Sequence, residues 1–237
     1  MQGVIVLLLK PFEQLPKEFQ NESVREYYNI LSKKKHSMVF KRITDIVLSL
    51  ILIVLLALPM LIIAFFIKIS ATKGPVFYKQ ERVTIYGKHF KILKFRTMIV
   101  GADQCGELLT TEGDERVTLV GRALRKYRLD ELPQIFHVLT GKMSIVGTRP
   151  EVPKYVDCYK EVYYATLLLP AGITSFASIK YKDENKLLKA GEDVDKVYVE
   201  KILPDKMRYN LKYLKRFGFR RDLSIMFKTV KEVLKDR

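Results

Sequence analysis

Cysteine is scarce in this 237-residue chain, with Cys105 and Cys158 as its two. They stand far apart without C-x-x-C spacing, which argues against a disulfide framework and fits a reducing compartment. Histidine is as sparse. His36, His89 and His137 are scattered without H-E-x-x-H spacing, so no zinc ligand set is evident. Neither G-x-G-x-x-G nor G-x-x-x-x-G-K occurs, which removes two common nucleotide-phosphate loops. Negative charge is short too: 26 Asp and Glu face 42 Lys and Arg, a net charge of +16. That bias calls for a polyanionic partner, whether nucleic acid, an anionic membrane surface or a phosphorylated substrate. No repeat or low-complexity tract is found.

What the chain does have is apolar bulk: 48% of its residues are hydrophobic, enough for one domain with a sizeable core. The run Ile46–Ile67 holds 22 residues with no charge and one proline, Pro59. As a straight helix it would reach about 33 Å, enough to cross a hydrocarbon core of about 30 Å. Basic residues flank it on both sides: Lys33, Lys34, Lys35, Lys41 and Arg42 before, Lys68, Lys73, Lys79 and Arg82 after. A spanning helix wants such residues on the cytoplasmic side only. A re-entrant helix that bends at Pro59 and returns resolves the conflict; a single-pass anchor with a tolerated proline is the alternative.

Three regions follow from this: an N-terminal extension over 1–40, a membrane helix over 41–72 and a C-terminal domain over 73–237. In the extension, 17–36 reads as a charged surface helix. VFYKQERVTIYGKHFKILKF alternates apolar and polar residues around Tyr86-Gly87, which predicts a small antiparallel hairpin with basic side chains on one face. Helices are expected over 116–129, from Asp130 to about Leu139 with Gly141 as its stop, and over 151–168, 205–217 and 222–234. MSIVG is a short strand. In the last helix Leu223, Met226, Phe227, Val230, Val233 and Leu234 share a face opposite basic residues, suited either to a bilayer surface or to the outside of a globular core. The fold class is α+β, mostly helical.

The chemistry concentrates in RKYRLDELPQIFHVLTGKMSIVGTRPE, residues 125–151. Asp130 and Glu131 precede Leu132-Pro133, and proline is tolerated in a first helical turn, so the pair belongs at a helix N-terminus. Dipole and free N–H groups there favour ionised carboxylates, which can attack phosphorus or bind Mg²⁺. Arg125, Arg128 and Arg149 supply forks that match phosphate oxygens. Taken singly, an Asp before a helix is most often an N-cap and an Arg a surface ion pair.

The order of KRITDIVLSLILIVLLALPM, GPVFYKQERV, FKILKFRTM, LRKYRLDELPQ, LTGKMSIVGTRPE, LLPAGITSFASI and DLSIMFKTV across residues 41–233 resembles the bacterial sugar transferases, the monotopic phosphoglycosyl transferases that begin polysaccharide and glycoconjugate assembly. The resemblance implies a re-entrant membrane helix, amphipathic interfacial helices and a catalytic domain on the cytoplasmic face of the bacterial inner membrane. It implies transfer of a phosphosugar from a UDP-sugar to undecaprenyl phosphate, with release of UMP, dependence on Mg²⁺ and a covalent aspartyl-phosphosugar. By position, Asp130 would be the nucleophile and Glu131 the Mg²⁺ ligand. Arg149 and Pro150 in VGTRP, with Arg125 and Lys94, would bind donor phosphate; Arg96 and Asp222 would support the site. The expected partners are the UDP-sugar, undecaprenyl phosphate and an anionic bilayer, with no nucleic acid; a homodimer is compatible. The chain departs from the family pattern at Leu58-Pro59, where Ser-Pro is common, and at PAGITSFASIKYKDENKLL, where the usual Gln and Gly-Arg are missing. Residues 181–197 read as an insertion, and no further block precedes the catalytic unit in this sequence. A rival reading from another class is a non-catalytic membrane scaffold, and charge alone suggests a nucleic-acid binder.

Overall fold

The computed structural model describes residues 8–70, 74–102, 109–110, 113–188 and 193–235, leaving aside the side chains of 185 and 186. Cys105, Lys73 and part of the 181–197 insertion lie outside the described residues. Cys158 is a free, exposed thiol.

The element order mixes many helices with two small sheets. Two 3₁₀ turns lead into α1 (Glu22–Ser32), which Asn21 caps by accepting from the Val24 amide at 2.9 Å. This stretch is not a free surface helix. Phe12, Phe19, Val24 and Leu31 are buried in the same core as Tyr163, Leu168, Met207 and Leu214.

The helix α2 (Lys35–Ile69) is continuous over 35 residues, with Pro59 inside it. It is long and apolar enough to cross a membrane, yet both its halves are held against one domain. Near its start, Lys41 bonds Asp222 at 2.7 Å, and Arg42 donates to the Val138 and Leu139 carbonyls at 2.6 and 2.8 Å. Asp45 accepts from the Ser144 hydroxyl at 2.7 Å and the Ile145 amide at 3.1 Å. Further on, Leu52 and Ile53 pack against Phe90, Ile92 and Ile135. Past the proline, Met60, Ile63, Ala64 and Ile67 pack against Phe95 and Leu124. Lys41 and Arg42 are therefore internal fasteners, not charges at a membrane edge. The opposite face is bare: Val54 is 76% exposed, with Leu58, Leu61 and Phe65 also uncovered.

The hairpin forms as expected. Strands β1 (Phe77–Val83) and β2 (His89–Phe95) are antiparallel around Tyr86 and Gly87, both at positive φ. Its basic residues do not share a face, however. The register puts Arg82 and Lys94 on one side and Lys79 and Lys91 on the other, because opposed residues in an antiparallel pair point the same way. Helix α3 (Leu119–Lys126) is capped by Thr118 and lies close on the end of β2. Gly121 allows this: a Cβ there would sit 2.0 Å from the Thr97 carbonyl. A 3₁₀ turn (Leu129–Gln134) then feeds α4 (Ile135–Leu139), ended at Gly141 with φ 79°.

Strand β3 (Met143–Val146) pairs with β4 (Ala171–Thr174) in parallel, so the β structure is not wholly antiparallel. Gly147 and Gly172 let the strand ends touch; a Cβ on Gly172 would meet the Gly147 nitrogen at 2.1 Å. Between the strands, α5 (Pro153–Val156) and a 3₁₀ turn (Glu161–Leu167) replace the single helix expected over 151–168. Tyr155 of α5, Tyr159 of the link that follows and Tyr163 of the 3₁₀ turn, spaced as if on one helix face, all reach the core. Helices α6 (Phe176–Lys180), α7 (Val194–Val197), α8 (Leu203–Lys215) and α9 (Phe219–Lys235) complete the chain. Along α9, Phe227 stands 72% exposed and Val230 and Leu234 are uncovered, while Ile225 is buried.

Candidate active site

Asp130 and Glu131 occupy the first turn of the 3₁₀ segment, as their place before Leu132-Pro133 predicts. The segment opens at Arg128, whose left-handed backbone (φ 56°) turns the chain sharply out of α3. Both carboxylates are buried, and their surroundings differ. Arg149 grips Glu131 with both arms of its fork: one guanidinium nitrogen donates to Oε2 at 3.1 Å and the other donates to Oε1. Lys94 Nζ adds a third bond to Oε1 at 3.3 Å. Burial alone would raise the Glu131 carboxyl; the Arg149 and Lys94 charges outweigh it and hold the group well below its usual range. Glu131 in turn holds the Arg149 proton.

No hydrogen bond reaches the Asp130 side chain among the described residues. Burial, and then the charge of Glu131, push its carboxyl up, while Lys94, Arg125 and Arg128 pull it down. The expectation that helix dipole and free N–H groups favour the ionised form does not carry over to Asp130: a six-residue 3₁₀ turn has little dipole, and burial with the Glu131 charge outweighs the neighbouring cations.

The other sequence candidates sort clearly. Arg125 faces Asp130 while anchored by bonds to Thr97 Oγ1 at 2.9 Å and Thr110 Oγ1 at 3.1 Å. Pro150 is buried, and its carbonyl accepts from Arg82 at 3.1 Å. Arg96 lines the same cavity but reaches the Ile67 carbonyl at the end of α2, at 3.5 Å, so it joins the membrane helix to the site. Asp222 is not at the dyad. Its two oxygens take Lys41 and the Tyr213 hydroxyl, each at 2.7 Å, in a buried knot joining α2, α8 and α9.

The cavity around the dyad has a volume of about 1310 Å³. One side is cationic, with Arg96 and Arg116 from the chain between β2 and α3 and Arg122 and Arg125 from α3. Another is apolar, formed by Leu48, Leu52 and Leu56 of α2 with Val230 and Val233 of α9. A group that sequence reasoning missed lies behind Pro150: Lys206 bonds Glu151 at 3.1 Å, Glu184 at 3.0 Å and the Tyr198 hydroxyl at 2.7 Å. Tyr198 also donates to Glu151 at 2.8 Å. Arg82 was missed as well. The period of its strand was a usable signal, since it puts Arg82 on the Lys94 face.

Among the described residues no cluster of three or more His, Cys, Asp or Glu could hold a metal by itself. Glu131 already accepts three hydrogen bonds, which leaves about one acceptor position on Oε2. Together with the unbonded Asp130 this fits Mg²⁺, which commonly takes one or two protein carboxylates and completes its shell with substrate phosphate and water.

A family model described as bacterial sugar transferase matches residues 36–236. A UDP-glucose:undecaprenyl-phosphate glucose-1-phosphate transferase of Klebsiella pneumoniae is 36% identical over 198 residues, covering 82% of this chain and 40% of its own length. A UDP-N-acetylgalactosamine-undecaprenyl-phosphate N-acetylgalactosaminephosphotransferase of Aeromonas hydrophila is 36% identical over 197 residues, 82% of this chain and 43% of its own. The uncharacterized sugar transferase EpsL of Bacillus subtilis (strain 168) is 35% identical over 199 residues, 83% of this chain and 88% of its own. The chain thus spans about two fifths of the length of the first two.

Proposed function

Because the chain belongs to the bacterial sugar transferase family, we propose that it moves a phosphosugar from a UDP-sugar to undecaprenyl phosphate through a covalent intermediate on Asp130. One observation carries this reading. A buried carboxylate with no hydrogen-bond partner among the described residues stands beside a second that two cations occupy, in a cavity lined by both cationic and apolar side chains. A carboxylate free of hydrogen bonds keeps its lone pairs for attack on phosphorus.

In the first step an Asp130 oxygen forms a bond to the sugar-bearing phosphorus as the bond from that phosphorus to the bridging oxygen breaks, and UMP departs with the electron pair. In the second, a phosphate oxygen of the lipid attacks the same phosphorus and the Asp130 carboxylate is released. Lys94, Arg125 and Arg149 neutralise the diphosphate while it approaches the anionic nucleophile. Arg149 uses two N–H groups on Glu131 and keeps others of its five for phosphate. Glu131 is the protein ligand for Mg²⁺, which when bound supplies charge neutralisation to the diphosphate and the leaving UMP.

The bare face of α2 sits in one leaflet of the bacterial inner membrane, with the domain on the cytoplasmic side. A helix fastened along both halves to one domain cannot leave that domain to cross the bilayer, which favours the re-entrant arrangement. The wall of Leu48, Leu52, Leu56, Val230 and Val233 gives the polyprenyl tail an apolar path to the dyad. The lipid phosphate then reacts at the depth where it resides, avoiding exposure of its tail at about 0.8 kcal/mol per methylene. The test is sustained UMP release from a UDP-sugar by the detergent-purified chain. It is expected only with both polyprenyl phosphate and Mg²⁺ present; turnover that ignores the lipid removes the proposal.

A further inference from the structure

A second groove lies away from the dyad, where the start of α2 meets the start of α9. Its volume is about 780 Å³. Arg216, Arg220 and Arg221 line it with His36, Phe40 and Phe219, and among the described residues no carboxylate does. Tertiary ties bring these cations together. Lys34 Nζ donates to the Phe217 carbonyl at 2.7 Å, in the link between α8 and α9. Lys41 bonds the buried Asp222 at 2.7 Å, and Phe40 meets Phe219 edge to face with ring centres 4.7 Å apart.

The protein itself leaves these arginines unengaged. Arg216 and Arg220 are exposed, and among the described residues no hydrogen bond or ion pair holds either side chain. Arg221 lies over the Phe176 ring, 4.4 Å from its centre, and its buried Nε has no hydrogen-bond partner among the described residues. Asp222, next in sequence, already takes Lys41 and the Tyr213 hydroxyl. Like charges gathered without a counterion repel one another, and an anion in the groove relieves that repulsion. Guanidinium forks match phosphate oxygens in particular.

The groove also opens onto the bare face of α2. Helical spacing puts His36 and Phe40 on one stripe with Ile43, Val47, Ile51 and Val54, all of them exposed. From position 40 to position 54 the stripe runs about 21 Å, more than half of a hydrocarbon core of about 30 Å. Leu48, Leu52 and Leu56, which line the dyad cavity, lie on another side of the helix. A cationic groove at one end of a separate apolar strip has the polarity of a phospholipid, reversed in charge.

We propose, resting on the reading that this face of α2 lies in one leaflet, that the groove binds the phosphate of an anionic phospholipid of the phosphatidylglycerol kind. Arg216, Arg220 and Arg221 take the phosphate, and the acyl chains lie along the 40–54 stripe. The bound headgroup fixes the start of α2 at the bilayer surface without occupying the acceptor's path to the dyad.

The test puts the full chain into nanodiscs of phosphatidylcholine alone, and of phosphatidylcholine and phosphatidylglycerol at about three to one, and counts by native mass spectrometry the lipids that stay bound on release from the disc. Phosphatidylglycerol should be enriched over phosphatidylcholine among them by at least about tenfold relative to the disc. Arg216→Gln/Arg220→Gln should lower that enrichment by about tenfold, while Lys231→Gln/Lys235→Gln, the same loss of charge further along α9, should change it by less than about twofold. Arg220→Gln alone, at an exposed side chain, serves if the double variant fails to fold, with an expected loss of about threefold. Enrichment absent from the wild type, or lost equally in both double variants, overturns the site. Glycerol 3-phosphate that strips the lipid at equal concentration shows a site for free phosphate and overturns the lipid assignment. A chain that does not enter phosphatidylcholine discs overturns the leaflet reading of α2 and this proposal with it; entry without lipid preference overturns this proposal alone.

Discussion

Lys41→Met should cost more stability than removing its whole ion pair. Lys41 Nζ lies 2.7 Å from Asp222, and the two side chains are 4% and 5% exposed. Deleting the lysine strands a buried carboxylate whose remaining partner is the Tyr213 hydroxyl at 2.7 Å. Breaking one side of such a pair costs about 3–5 kcal/mol, a large share of the roughly 5–15 kcal/mol that holds a domain together. The double variant Lys41→Met/Asp222→Leu removes both charges and leaves only the Tyr213 hydroxyl without its acceptor, at about 1–3 kcal/mol. Denaturant unfolding in detergent, followed by circular dichroism, gives the three free energies. A cost below about 1 kcal/mol for the single variant, or a double variant as unstable as the single, would show that the Lys41–Asp222 pair is not a buried fastener of α2. The same series assigns Asp222. Asp222→Asn should lose stability while each folded molecule keeps its activity within about twofold, since small surroundings-only effects lie in that range. A hundredfold loss per folded molecule at unchanged stability would put Asp222 into the reaction.

The pH–rate profile should be bell-shaped. Asp130 must be ionised to attack, and burial with Glu131 beside it raises its carboxyl, so activity falls with falling pH at values above the ordinary aspartate range. Burial lowers the Lys94 ammonium, so the alkaline limb begins below the ordinary lysine range; Lys94→Met should move the acid limb upward and abolish that alkaline limb. Gly172→Ala drives a Cβ to 2.1 Å from the Gly147 nitrogen and should destabilise by about 1–3 kcal/mol or more, read as a lowered unfolding midpoint. Cysteines placed at Lys33 and Lys68, in a background with Cys105 and Cys158 removed, should both react with a membrane-impermeant maleimide only from the cytoplasmic side; labelling from opposite sides would establish a spanning helix.

The dyad was legible because its residues are neighbours in sequence and carry their own punctuation. Leu132-Pro133 announces a helical turn, and Gly141 ends it. The hairpin was legible from alternation, but which side of it Arg82 and Lys94 face depends on register, which a run of residues does not display. Pairings across the chain left no local trace. Lys41 and Arg42 read as membrane-flanking charges, yet their partners lie 181 and 96 residues away. The parallel β3–β4 pair was hidden because PAGIT is short and glycine-bearing, and its strand character comes from lying against Gly147. The 3₁₀ and short helical turns over 153–167 show tertiary packing overriding periodicity: three tyrosines find the core by separate routes.

The most direct measurement is to mix the purified chain with a UDP-sugar labelled at the sugar-bearing phosphate, Mg²⁺ and no lipid acceptor, quench in acid and weigh the protein. One phosphosugar should be added per active molecule, with one equivalent of UMP released, discharge on adding polyprenyl phosphate, and no adduct with Asp130→Asn. Unmodified protein that nevertheless turns over with acceptor present, or an Asp130→Asn chain with full activity, contradicts a covalent intermediate on Asp130.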